Sequence, residues 1–203
     1  MDKLLITGCH RSGTTLLASM IGSHKDIAII NEDYSNSFNK ILSKKIIGVK
    51  SPIPNILYDK KRKLLAGVLI RKLLFFNKYI KRFYRIKGWY PYSIKDFVDD
   101  PSSKIILIER DFQTNVSRII KRTGLSKKIA KNHVKHARKI ALTLTDTCDS
   151  KKILFINLHD LTTEPEKVMK EIFNFLGVRY DKKCLDGYKY NPSYKLNSII
   201  PKY

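Results

Sequence analysis

The stretch LLITGCHRSGTTLLASMI, Leu4 to Ile21, decides the architecture. Leu4–Thr7 is a short apolar run that reads as a buried strand, and Gly8 breaks it. Four residues later comes Gly13, and from Thr14 to Ser23 the pattern is helical, with Leu16, Leu17, Met20 and Ile21 on one face. Strand, Gly-x-x-x-x-Gly and helix together form the phosphate-loop arrangement, which aims backbone N–H groups and a helix dipole at an anion. The lysine that such a loop extends to a nucleoside triphosphate is missing; Thr14 and Thr15 stand there, and Arg11 lies inside the loop. Two hydroxyls and a planar guanidinium suit phosphate or sulfate oxygens. The missing lysine argues against a γ-phosphate, and no acidic strand end is evident to hold Mg²⁺.

Outward from the loop, apolar runs recur at Ile27–Ile30, Ile46–Lys50, Lys104–Glu109 and Lys152–Asn157, each read as a strand. Helices are expected near Gln113–Arg122, ended by Gly124, and from Ser126 toward Thr143. A last helix is expected after a capping box at Thr163-Glu-Pro-Glu166, closed by Gly177. Alternating strands and helices predict an α/β chain, a single three-layer domain over residues 1–203. Its central, mainly parallel sheet would be covered by helices on both faces. In such a sheet, ligands bind beyond the carboxyl ends of the strands.

The 203 residues carry 40 Lys+Arg against 18 Asp+Glu, a net charge of +22, which implies an anionic partner or substrate. Residues 60–95 concentrate that charge without a single Asp or Glu. Arg71, Lys78, Arg82 and Arg85 fall near one helical face, and Leu69, Leu73, Phe76 and Ile80 near another. Such a helix fits an anionic glycan, an anionic membrane surface or nucleic acid, or packs its apolar stripe on a core and leaves the cations solvated. Trp89, Tyr90 and Tyr92 offer rings for a sugar, for a base or for packing. Cys9, Cys148 and Cys184 show no metal or redox spacing. With no signal peptide and no long apolar run, they lead to a cytoplasmic expectation, with peripheral membrane contact through 60–95. His133 and His136 sit three apart among lysines, a poor place for a cation, while His10 lies inside the loop.

GCHRSGTTLLASMI resembles the 5′-phosphosulfate loop of sulfotransferases that use 3′-phosphoadenosine 5′-phosphosulfate (PAPS) and release the bisphosphate PAP. The resemblance implies that Arg11, Ser12, Gly13, Thr14 and Thr15 surround the 5′-phosphosulfate, with no metal required. Glu32 follows Ser12 at the spacing of the catalytic glutamate in the protein-tyrosine sulfotransferase branch, which makes it the general base, with Asp33 as its neighbour. IIGVKSPIP, Ile46–Pro54, is similar to the Lys–Ser/Thr–Pro segment, which implies that Lys50 and Arg11 stabilise charge on the departing phosphate. KIILIERDFQTNVSRIIKR, Lys104–Arg122, resembles the 3′-phosphate motif, with Arg110 and Ser117 as the matches. Family members space that pair by eight residues and this chain by seven. One residue turns a helical side chain by about 100°, so Thr114 competes with Ser117. ILFINLHDLTTEPEKVMKEIFNFLGV, Ile153–Val178, is similar to the closing strand, turn and helix.

The expectation is therefore a PAPS-dependent sulfotransferase acting on the hydroxyl of an acceptor such as a glycan or a lipid headgroup. Nucleic acid is disfavoured as a partner. Two alternatives stand beside it: an ATP-dependent small-molecule kinase on the same loop, and a non-catalytic basic protein that binds polyanions.

Overall fold

The computed structural model describes residues 2–31, 44–53 and 93–190. Five strands, β1 (Asp2–Thr7), β2 (Ile27–Asn31), β3 (Ile46–Lys50), β4 (Ser103–Glu109) and β5 (Ile153–Asn157), form one sheet in the order β2-β3-β1-β4-β5. Every pairing is parallel. Both faces of such a sheet must be covered, and residue parity divides the coverage. Leu4, Ile6, Ile106, Ile108 and Ile156 point into one core layer, where α1 (Thr14–Gly22) and a C-terminal helix pack. Leu5, Ile105, Leu107 and Ile153 point into the other.

The chain leaves β1 in one direction and reaches β4 and β5 in the other. Right-handed crossovers therefore place α1 on the first face and the later helices on the second. These are α2 (Ile94–Asp99), α3 (Phe112–Thr123) and α4 (Lys127–Thr147). Their ends follow local chemistry. Asp111 caps α3 by accepting from the Thr114 N–H at 2.8 Å, and Gly124 ends it at φ 70°. Ser126 caps α4, which runs past the expected Thr143 because Leu144, fully buried, continues its apolar face.

The capping box expected at Thr163 is not there. Asn157 accepts from the His159 N–H at 2.9 Å and starts a helix directly from the strand, α5 (Leu158–Thr163), where the sequence suggested a turn. Thr163 is thus already the last residue of a helix, and its hydroxyl donates back to the His159 carbonyl at 3.0 Å. Glu164 begins α6 (Pro165–Leu176) without a side-chain cap, and Glu166 pairs with Lys170 at 2.8 Å. Pro165 at the first position and Gly177 at φ 71° stand as expected. A 3₁₀ helix, Lys182–Tyr190, closes over α1. Some of the excess lysine serves helix ends: the ammonium groups of Lys104 and Lys45 donate to the Phe175 and Gly177 carbonyls at the end of α6.

Among the described residues no helix is long and apolar enough to cross a membrane, and the three cysteines are free. Glu32, Asp33, the tail beyond residue 190 and residues 54–92, which include most of the basic segment with Trp89, Tyr90 and Tyr92, lie outside the described residues.

Candidate active site

The site grows from the carboxyl end of β1, the strand from which the chain departs to both sides of the sheet, where parallel folds of this kind open a crevice. Gly8 leaves the strand against β4, and a Cβ there would collide with the Ile108 carbonyl oxygen. Gly13, at φ 102°, has no room either: a Cβ would lie 2.5 Å from Leu158 Cδ1. Between them Arg11 takes the left-handed conformation, φ 68°, an uncommon cost for a residue with a Cβ. The Ser12 N–H donates to the Cys9 carbonyl at 3.1 Å and folds the loop back over the start of α1.

That start has no side-chain cap, because the N-cap residue is Gly13. The first-turn N–H groups of α1 therefore point out of the helix with no side chain to receive them. Ser12 adds a second signal. It is 0% exposed, yet its Oγ has no hydrogen-bond partner. A buried hydroxyl in that state is costly, and an oxyanion in the loop would satisfy it.

β3 supplies the cation. The register pairs Ile6 with Lys50, and beyond the strand the pairing persists: the Ser51 N–H donates to the Ile6 carbonyl at 3.0 Å and the Ile53 N–H to the Gly8 carbonyl at 2.8 Å. Thr7 Oγ1 locks the same junction by donating to the Ser51 carbonyl at 2.9 Å. Lys50 is thereby held beside the loop, only 2% exposed, with its Nζ donating to Thr15 Oγ1 at 3.3 Å. β2 ends alongside it, Asn31 in register with Lys50, and Glu32 is the next residue in the chain.

On the other side, β4 does end in an acidic residue, Glu109, where the sequence suggested none, and with α3 it brings Arg110 to the same crevice. Gly8, Cys9, Glu109, Arg110, Asn115 and Arg138 border one cavity of about 10 Å³. Ser117 and Thr114 are exposed on α3 and do not border it. Burial pushes the Cys9 thiol up to about 12, against the opposing pull of its hydrogen bond with Asn115, so Cys9 is a neutral filler and no nucleophile. Asn115 was not anticipated. It is 1% exposed, its Oδ1 lacks a partner, and its only sequence signal is a polar residue on the face shared by Val116 and Ile119. His10 and His133 were read separately, yet their rings meet at 5.4 Å and tie the loop to α4. Burial lowers the pKa of His133, against its hydrogen bond to the Ile53 backbone.

No protein-family model and no curated protein matches this sequence. Solved structures do. The sulfotransferase domain of the Synechococcus PCC 7002 olefin synthase superposes with a TM-score of 0.59 at 16% identity, over 97% of this chain and 82% of that one. Mouse sulfotransferase SULT7A1, solved as a complex with PAP, gives 0.57 at 14% identity over 100% and 68%. The sulfotransferase domain from the curacin biosynthetic pathway gives 0.56 at 13% identity over 93% and 78%. This chain has the sulfotransferase fold. At these identities the likeness extends to the backbone, and the chemistry of the sulfotransferase-like crevice rests on its own side chains.

Proposed function

We propose that the protein is a sulfotransferase that moves a sulfuryl group from PAPS to an acceptor hydroxyl. One observation carries the reading. The phosphate loop lacks its own lysine, and a buried ammonium from the neighbouring strand, Lys50, stands 3.3 Å from Thr15 at its mouth. A cation there is placed for charge that develops on a bridging oxygen at the loop, with no need of a metal to carry it.

The residues fit the donor. The uncapped N-terminus of α1, the unpartnered Ser12 hydroxyl and the fork of Arg11 would hold the 5′-phosphosulfate. Arg110, across the Gly8 cavity, would hold the 3′-phosphate with Ser117 or Thr114. PAPS, when bound, supplies sulfur already activated by a phosphate leaving group. The chain's part is to orient the acceptor oxygen, to remove its proton and to stabilise the phosphate as charge gathers there. Glu32 is assigned the proton, taken by its carboxylate, because β2 ends in register with Lys50. SULT7A1, a fold relative, was solved with PAP, which supports a bisphosphate nucleotide in this crevice.

Thermal shift against PAP, ADP, ATP and AMP, each with and without Mg²⁺, tests the donor. A response to PAP that is independent of Mg²⁺ and exceeds the other three is expected; a larger, Mg²⁺-dependent response to ATP would make the protein a kinase. Glu32→Gln tests the base: turnover should vanish while PAP affinity holds. Loss of PAP binding in that variant would show that Glu32 serves the structure.

A further inference from the structure

The basic segment 60–95 drew attention in the sequence, but the described structure carries a second cationic surface. From Phe112 to Thr145 the chain has no Asp or Glu. These residues form the α3–α4 hairpin, whose two helices pack together on the second face of the sheet. Helix α3 contributes the exposed Arg118, Lys121 and Arg122. On α4, Lys128, Lys131, Lys135 and Arg138 recur at steps of three and four, and Lys139 follows four after Lys135, so at 3.6 residues per turn they share one stripe. Lys128, Lys135, Arg138 and Lys139 are exposed, and Lys131 is half-buried. Among the described residues no carboxylate pairs with any of these cations. The stripe presents five positive charges over about 16 Å, about three turns.

It also leads to the crevice. Arg138 borders the cavity with Gly8, Cys9 and Arg110, and His133, five residues earlier, meets His10 of the loop. A chain lying along α4 would thus arrive beside the phosphate loop.

We infer that the α4 stripe docks an acidic polysaccharide, a linear polymer with carboxylate or sulfate groups along its length. The density of positive charge and the path to the crevice favour it. Single-stranded nucleic acid is held by stacking on aromatic side chains, and Phe112, the hairpin's one Phe, Tyr or Trp, lies under the Arg138 guanidinium at 5.2 Å. A membrane-bound helix sinks a continuous apolar face among the headgroups, and here Val134, Ala137, Ala141 and Leu144 are packed in the core, leaving Ile129 and Leu142 as separate exposed apolar residues of α4. As acceptor, such a polymer offers hydroxyls beside the acidic groups the stripe would grip. That part of the inference rests on the sulfotransferase reading; the docking surface does not.

The test compares two triple variants of the full chain that change net charge equally: Lys128→Glu/Lys131→Glu/Lys135→Glu on the stripe, and Lys151→Glu/Lys182→Glu/Lys183→Glu away from it. Binding of a size-defined heparin oligosaccharide, a DNA duplex and phosphatidylserine vesicles is measured across a salt series near physiological ionic strength. The stripe variant should lose at least about tenfold in heparin affinity with a flatter salt dependence, and the control less than about threefold. If the charge-reversed stripe fails to fold, the Lys→Gln triple takes its place with a smaller loss in the same sense. Equal losses in both variants would reduce the effect to net charge and overturn the site. Tighter binding of duplex or vesicles than of heparin, lost with the stripe, would overturn the partner class. PAP-induced stabilisation should survive in both variants. If PAP stabilises no form of the protein while heparin binding still maps to the stripe, the docking surface stands and the sulfotransferase reading falls.

Discussion

Two strand-to-helix junctions meet in the crevice, and they are built to opposite rules. At β1–α1 the helix begins at Gly13, with no side chain over its first amides, a strained Arg11 behind it and a buried cation beside it. At β4–α3 the helix begins at Asp111, whose carboxylate occupies the first-turn amides itself and is pulled below its ordinary pKa by the Thr114 N–H and hydroxyl. The first junction leaves its dipole for a ligand. The second has supplied its own anion. Any phosphate held near α3 would therefore depend on side chains, Arg110 before all, whereas at α1 the backbone would contribute most of the grip.

The comparison breaks most easily at Lys50. Lys50→Met should lower turnover by about 10²–10³, the range for a lost charge-stabilising group. PAP binding should fall much less, and single-turnover kinetics beside calorimetry separates the two. Next is Arg110→Ala. A charged hydrogen-bond partner is worth about 1.5–3 kcal/mol, or about tenfold to a hundredfold. The loss should appear with PAP and be absent with the analogue lacking the 3′-phosphate. Ser12→Ala sharpens the first junction in two directions. Removing a buried, unpartnered hydroxyl should raise the melting temperature of the free protein by about 2–4 °C for each kcal/mol relieved. The same change should weaken PAP about tenfold. A melting temperature that falls would mean that Ser12 already has its partner without ligand.

The sheet was legible because its central strands, β1, β3 and β4, are buried on both faces and so appear as unbroken apolar runs; Leu4–Thr7 and Ile46–Lys50 need no context. The short helices were not. α5 has six residues and starts from a strand without a loop, its cap made by Asn157, so LHDL read as a turn and Thr163 as a beginning. α2 has a Ser93–Asp96 capping box but only six residues, too few for periodicity to speak. The depth of Lys50 was equally hidden. Among 40 Lys+Arg, nothing but the β1–β3 register makes one of them 2% exposed beside Thr15. Asn115 and the contact between His10 and His133 depend on α3 and α4 folding over the loop, and no local pattern carries that information.

The smallest effect belongs to the second junction, through Asp111→Asn. The amide keeps an oxygen to accept from the Thr114 N–H and removes only the charge. In the folded protein the Asp111 pKa is lowered, by hydrogen bonds from Thr114 first and then by the Phe112 and Gln113 amides. Its stabilising contribution is therefore complete above the unfolded carboxylate value of about 3.9. As pH falls through that value toward the lower folded one, the contribution is lost. Asp100, held at about 2 by Lys3 and Ser102, acts in the same window and is untouched by the substitution. Asp111→Asn should thus lower the melting temperature slightly at neutral pH and flatten, without abolishing, its decline between pH 4 and 2. PAP affinity should change little or rise, since a negative charge has left the neighbourhood of Arg110. A marked loss of PAP affinity instead would mean that the carboxylate orients Arg110, and the second junction would then bind its ligand through the very cap that closes its helix.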